Sequence, residues 1–325
     1  MSFNSTVKPS ACTVKKRQCG VQSEAVVSKE ATLVSKAQLQ AEWPDLNYVQ
    51  KGLRTAINYF GPDIVGEVVT TKTTRKPLPK GNHLVVQAHP SHVDAIPSVL
   101  EGGQVIAYNF PPWHPFGVAI RGVGGLRTGN GCAGTVDTAS RYLRNGEKRK
   151  LWMAPMGKIH TKSMLTLASE GKVPSGAAAI GLKSGVPIVV EAIDPQAANT
   201  NDKRLMTIAG VAGRVGMVVG SVLALLAGRR SGGDSKAKVV FHTLGTALIA
   251  VPTMYAVSLL SGLKLAPAPQ RLQRVISDVV QPQQIENLSS TNQDHQAAKA
   301  QLQTKIFESC DKAVEQVKTI AKKTA

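Results

Sequence analysis

Two groups able to move a proton stand five positions apart in "AHPSHVDAIP" (88–97): His89 and Asp94. A neutral imidazole, with a pKa of about 6.5, can accept a proton from a hydroxyl near neutral pH. A carboxylate beside it fixes its tautomer and stabilises the imidazolium that forms. The five-residue offset lets a tight turn fold Asp94 back onto His89. Two other readings stand beside this dyad. One is a metal site in which His92, His83 or His114 joins the pair, although the spacing is not a helical HExxH and the prolines would hold the loop rather than wrap it around an ion. The other is a polar turn with no chemistry, pinned by Pro90 and Pro97.

What positions these residues is a run of alternating elements. "HLVVQA" (83–88) reads as a short buried strand that ends at His89, and "VDAIPSVL" as a helical turn. Strands follow at "QVIAY" (104–108), "KLWMAP" (150–155) and "VPIVVEAI" (186–193), with helices at 135–146 and 175–185 between them. Strands alternating with helices predict an α/β fold with a largely parallel sheet flanked by helices. Catalytic groups in such folds sit on loops after the strand ends, which is where His89 falls. Residues 24–62 read as helical, with Leu46, Val49, Leu53, Ile57 and Phe60 recurring at spacings of three and four. Residues 70–82 read as a basic loop.

Two apolar stretches come next. Residues 205–228 are interrupted by Arg214, and 239–263 run 25 residues without a formal charge, with the basic loop "RRSGGDSKAK" between them. About 20 apolar residues suffice to cross a hydrocarbon core. The segment therefore reads as a hydrophobic hairpin in or on a membrane. Its rivals are a helix packed inside the protein and a closing strand at "KAKVVFHTLGTAL". The tail begins polar and glutamine-rich and ends in an amphipathic helix with the stripe Leu302, Ile306, Val314, Val317 and Ile320. Such a helix lies on an anionic membrane or packs on its own domain. The domain reading is thus 1–69 a basic tail and helical region, 70–204 a catalytic domain, 205–263 the hairpin, and 264–325 a polar linker and amphipathic helix.

The formal charge of the 325-residue chain is +18, which favours an anionic partner: nucleic acid, phosphorylated substrates or an anionic membrane. Aromatic residues are only 4%, too few for reading single strands by stacking, and no RNP-like run or zinc-finger spacing occurs, so no nucleic acid is expected. The four cysteines, Cys12, Cys19, Cys132 and Cys310, are scattered without a CxxC pair. That pattern points to a reducing compartment and gives no structural zinc site. The N-terminal segment has no apolar h-region. Its Ser, Thr and Lys content, with no acid before Glu24, fits a transit peptide or a basic tail. "GNGCAG" (129–134) is a literal GxGxxG, but "GGLRT" before it is a poor strand, and Glu147 falls at the end of the following helix. A glycine-rich turn accounts for it better than a dinucleotide site.

The His-x4-Asp block after a buried strand, with Ile96-Pro97 behind it, resembles the first motif of the glycerolipid acyltransferases, which include lysophosphatidic acid and glycerol-3-phosphate acyltransferases. "PFGVAIRGVGGL" (115–126) resembles the second motif. "MAPMGKIHTK" (153–162) stands where the family carries its third, and 172–193 resembles the region closing with the fourth. The resemblance covers about residues 80–195. It implies an acyltransferase, 1-acylglycerol-3-phosphate O-acyltransferase-like, in which His89 deprotonates an acceptor hydroxyl, Asp94 orients it, and the oxygen attacks the thioester of acyl-CoA or acyl-carrier protein. It implies no cofactor and no metal. It places Arg121, Gly124, Gly125, Arg127, Gly157, Lys158 and His160 in substrate binding, with a lipid acceptor at an anionic membrane, cytoplasmic-facing or organellar, as partner.

The chain departs from the family pattern where the acceptor would sit. Met156 stands at the family's glutamate, Ile159 at its third-motif arginine and Asn130 at its second-motif arginine. Lys158, His160 and Arg127 are the available replacements, and lysine holds phosphate as a point charge without the arginine fork. Either the acceptor is not a standard glycerol phosphate, or the enzyme is a divergent member. The rival function is a non-catalytic membrane or lipid-binding protein on the same fold.

Overall fold

The computed structural model describes residues 47–66, 68–72, 78–88, 90–101, 103–108, 120, 122, 124–128, 132–156, 162–171, 174–285 and 292–324. Most of the N-terminal tail and the start of the helix expected over 24–62 lie outside them. The elements are α1 (Tyr48–Val65), β1 (Val68–Lys72), β2 (His83–Gln87), α2 (Ile96–Leu100), β3 (Gln104–Tyr108), β4 (Leu126–Thr128), α3 (Cys132–Arg144) and β5 (Lys150–Met153). They continue as α4 (Met164–Ser169), α5 (Gly176–Ser184), β6 (Ile188–Ile193), α6 (Pro195–Gly232), α7 (Lys236–Leu265), β7 (Leu272–Val280) and α8 (Asn292–Thr324).

Among the described residues the strands form one seven-stranded sheet in the order β1-β7-β6-β2-β5-β3-β4. Every pairing is parallel except β6 with β7. The α/β fold with a largely parallel sheet is therefore present. Its central strands are apolar on both sides, as a sheet covered by helices requires. Leu84, Val86, Leu151, Met153, Ile188 and Val190 face a core shared with α3, α5 and α8. Val85, Trp152, Val189 and Ile276 face the other way, where Ala95 and Val99 of the α2 region cover them.

Three strands escape the sequence reading. β1 falls partly in the segment read as a basic loop, and β4 is three residues long at the sheet edge. β7 lies in the segment expected to be a polar linker, and it inserts between β1 and β6. The tail after the hairpin thus completes the sheet. α8 also belongs to the domain. Leu302, Ile306 and Val317 are fully buried against the sheet, so the stripe that could have met a membrane meets β6 and β7 instead.

α8 also holds a neighbouring helix in place. Ser163 Oγ donates to Asp311 Oδ2 at 2.6 Å, and the backbone N–H groups of Met164 and Leu165 donate to the same carboxylate at 2.7 and 3.1 Å. Asp311 thus caps the start of α4 from outside its own segment. Asp311→Ala is expected to lower stability by about 1–3 kcal/mol, read as a fall in thermal midpoint with the fold retained.

The apolar stretches form two long helices rather than a strand or a core helix. Asp194 caps α6 by accepting from Gln196 N and Ala197 N at 3.0 and 3.4 Å, and Pro195 occupies the first turn, where its missing N–H costs nothing. α6 and α7 then pack on each other along Ala212, Gly216, Gly220, Ala224, Gly228 and Gly232. A Cβ at Gly220 would come within 2.6 Å of the Val251 backbone, so only a glycine admits this approach. Both helices are long and apolar enough to cross a membrane.

Candidate functional site

The parallel strands β2, β5 and β6 end at one edge of the sheet, and the "AHPSHVDAIP" loop leaves β2 there. Apolar anchors hold the loop. Val93 packs with Val65, Ile193 and Leu272, and Ala95 packs with Val85 and Trp152. Pro97 starts α2. Between the anchors, Asp94 is fully buried and its Oδ2 accepts from Ser91 N at 3.3 Å. A buried carboxylate with a backbone donor sits in a fixed orientation. His89, the other half of the dyad, lies outside the described residues, as do Arg121, Gly157, Lys158 and His160.

His92 does not turn inward. It is exposed, and its Nδ1 lies 3.0 Å from Asp202 Oδ2 on α6. The loop is thereby tied to the root of the long hairpin. Arg127 lies on β4 opposite Ala107. Gly124 and Gly125 lie directly before β4, whose first residue Leu126 pairs with Ile106. Their described role is a turn: Gly124 has φ 76°, and Gly125 N donates to Ile120 O at 2.7 Å. A Cβ on Gly125 would meet Ile120 Cγ2 at 2.6 Å. Met156 follows β5 at the Asp94 edge, but its side chain is buried in the apolar core with Met153 and Met164. Position 156 thus serves packing.

Beneath the loop lies a polar cluster that the sequence reading missed. Gln87 and Glu191 are opposite one another on β2 and β6. Gln87 Oε1 accepts from Trp152 Nε1 at 2.8 Å. Arg274 reaches over from β7, with its Nε 3.7 Å from Glu191 Oε2, and it also pairs with Glu101. Glu101 in turn pairs with Lys150. Burial raises the pKa of Glu191; Arg274 and Lys150 oppose the rise, while the negative Glu101 and Asp94 reinforce it. Asp94 and Glu191 therefore share one electrostatic field. Burial works against the Arg274 charge, but Glu191 and Glu101 outweigh it and hold the guanidinium above its ordinary pKa. The sequence signal was available: Glu191 is the only charged residue in "VPIVVEAI".

Glu101 gives a pH test. Its burial disfavours the charged form, yet Arg274 and Lys150 prevail and its pKa is lowered. A carboxyl depressed in the folded state adds stability that is complete above its unfolded pKa, about 4.3, and is lost as pH falls through the folded value. Glu101→Gln should therefore flatten the acid side of a plot of thermal midpoint against pH, below about pH 4.5.

The hairpin departs from this same edge. α6 begins directly after β6, and α7 returns to β7, whose first residues lie beside the end of β6. Its root is riveted to the domain. Asn201 Nδ2 donates to Val65 O and Gln270 O at 3.2 and 2.8 Å. Arg204 donates to Pro267 O at 2.7 Å, Asp63 O at 2.8 Å and Leu263 O at 3.3 Å.

No family model and no curated protein matches the sequence. Among solved structures, the chain is similar to the crystal structure of the 1-acyl-sn-glycerophosphate (LPA) acyltransferase PlsC from Thermotoga maritima, at 15% identity and a TM-score of 0.41, over 90% of this chain and 89% of that one.

Proposed function

We propose that the protein is an acyltransferase that moves an acyl group from a thioester donor, acyl-CoA or acyl-carrier protein, to a lipid hydroxyl at a membrane surface. The observation that carries the reading is the buried, oriented carboxylate of Asp94, five residues after His89, on the sheet edge from which the apolar hairpin departs. His89 takes the proton of the acceptor hydroxyl, and the oxygen attacks the thioester carbonyl. The C–S bond breaks, and the proton passes from His89 to the departing thiolate. Asp94 stabilises the imidazolium between these steps. No metal or redox cofactor enters.

Arg121, Arg127, Lys158 and His160 are the groups assigned to the anionic parts of the substrates, in a lysophospholipid or glycerol-phosphate-like acceptor. Gly124, Gly125 and Gly157 shape the backbone near them. The hairpin holds the protein on a membrane, with the domain on its reducing, cytoplasmic-type face. Met156, Ile159 and Asn130 stand where the family it resembles carries a glutamate and two arginines, which favours an acceptor other than glycerol 3-phosphate itself.

The test is thiol release from acyl-CoA in vesicles across a panel of lipid acceptors, monoacyl phospholipids and glycerol 3-phosphate included. Acceptor-dependent release supports the reading. Lipid binding with no release for any donor and acceptor identifies a non-catalytic lipid-binding protein.

A further inference from the structure

The inference rests on the membrane reading above and concerns the hairpin. α6 has 38 residues and α7 has 30, so α6 alone is about 57 Å long at about 1.5 Å per residue. Among the described residues, polar contacts from the domain reach it only at its root, at Asn201, Asp202, Arg204 and Lys264. Beyond that root, most side chains facing outward are apolar, and the exposed polar ones, among them Thr207, Arg214, Ser221, His242 and Thr253, are scattered between apolar neighbours and form no continuous polar face. Val211, Val218 and Leu226 of α6 and Phe241, Leu248 and Ile249 of α7 are exposed. A helix lying in the plane of a membrane surface keeps one polar face. A pair that is predominantly apolar with no continuous polar face, and packed on itself through small residues, has the form of a membrane span.

Charge marks both ends. Lys203, Arg204 and Lys264 stand at the root; Arg229, Arg230, Lys236 and Lys238 stand at the tip. From Arg204 to Arg229 is about 37 Å along α6, and from Lys238 to Lys264 is about 39 Å along α7. A hydrocarbon core is about 30 Å thick. Each helix therefore sets its two charged ends just outside such a core, in the two phosphate planes.

Arg214 is the single formal charge between them, and it is exposed. It lies about 15 Å from Arg204. Helical side chains lean toward the helix N-terminus, and the N-terminus of α6 is the root. Its guanidinium accordingly snorkels toward the root-side headgroups.

We infer that the hairpin crosses the whole bilayer, so that the basic loop 229–238 emerges on the face opposite the sheet and rests on the anionic phosphates of the far leaflet. The experiment uses the full chain with Cys12, Cys19, Cys132 and Cys310 replaced by serine or alanine. One cysteine is then added, at Ser235→Cys in the tip or Glu147→Cys in the domain. A membrane-impermeant maleimide is applied to sealed membrane vesicles of each orientation. The two cysteines should label from opposite sides, at least tenfold faster on their own side, and detergent should equalise them. Labelling of both from the same side overturns the inference. Ser231→Cys repeats the tip measurement should Ser235→Cys misfold. An alkaline carbonate wash separates the failures. Protein that washes off refutes the membrane reading itself, whereas protein that stays bound with same-side labelling refutes only the crossing.

Discussion

Asp94→Asn should lower the turnover of acyl transfer by about 10³- to 10⁴-fold while leaving the fold intact. The amide has the size of the carboxylate and can still accept from Ser91 N, so the loop keeps its hydrogen bond at 3.3 Å. What disappears is the negative charge that stabilises the imidazolium formed on His89. The amide can also hold the ring in the tautomer that blocks proton uptake. Since Asp94 acts through His89 and does not bind the acceptor, KM should move little and kcat should carry the loss. An unchanged thermal midpoint, with turnover down by orders of magnitude, is the pattern to look for. If the carboxylate served only the turn, Asp94→Asn would spare kcat as well as the midpoint.

The second large effect concerns the ion pair under the loop. Arg274 and Glu191 are both nearly inaccessible to solvent. Arg274→Met alone leaves a buried carboxylate without its cation, beside a second carboxylate at Asp94. Breaking a buried pair from one side costs about 3–5 kcal/mol. Adding Glu191→Leu removes the orphaned charge and should recover most of that loss, because a pair replaced by apolar groups is often neutral. Thermal midpoints of the wild type, both single variants and the double variant measure this coupling. Additive losses in the double variant would show that the two side chains do not interact.

The cluster also shows why part of the molecule was hidden in its sequence. β2, β3, β5 and β6 stand out because strands buried on both faces need mainly apolar runs, and "HLVVQ" and "IVVEAI" provide them with one buried polar residue each inside the sheet, Gln87 and Glu191. β7 carries Arg274 and Asp278 within "LQRVISDVV", so it reads as a broken pattern. The break is explained only by Glu191 and Glu101, 83 and 173 positions away from Arg274 in the chain. β4 reads as a poor strand because three residues carry no periodicity. The stripe of α8 was legible, but not its partner. An amphipathic face specifies that something apolar covers it, and Asp311 together with the sheet settles what does.

The candidate site divides in the same way. The reading of His89 and Asp94 rests on one short segment; Asp94 is buried, and His89 lies outside the described residues. Gly124 and Gly125 make the turn into β4, and Met156 belongs to the core. The role of His92 in tying the loop to Asp202 depends on a partner 110 residues away, which no local motif could reveal.

In the proposed reaction His89 activates a lipid hydroxyl for attack on a thioester. The most direct measurement follows both products in one vessel, the free thiol and the lipid heavier by one acyl chain, for wild type and His89→Ala reconstituted in the same vesicles. Wild type should yield equal molar amounts of the two products, and His89→Ala should lose both by at least about 10³-fold. Equal product formation by the two proteins would contradict it.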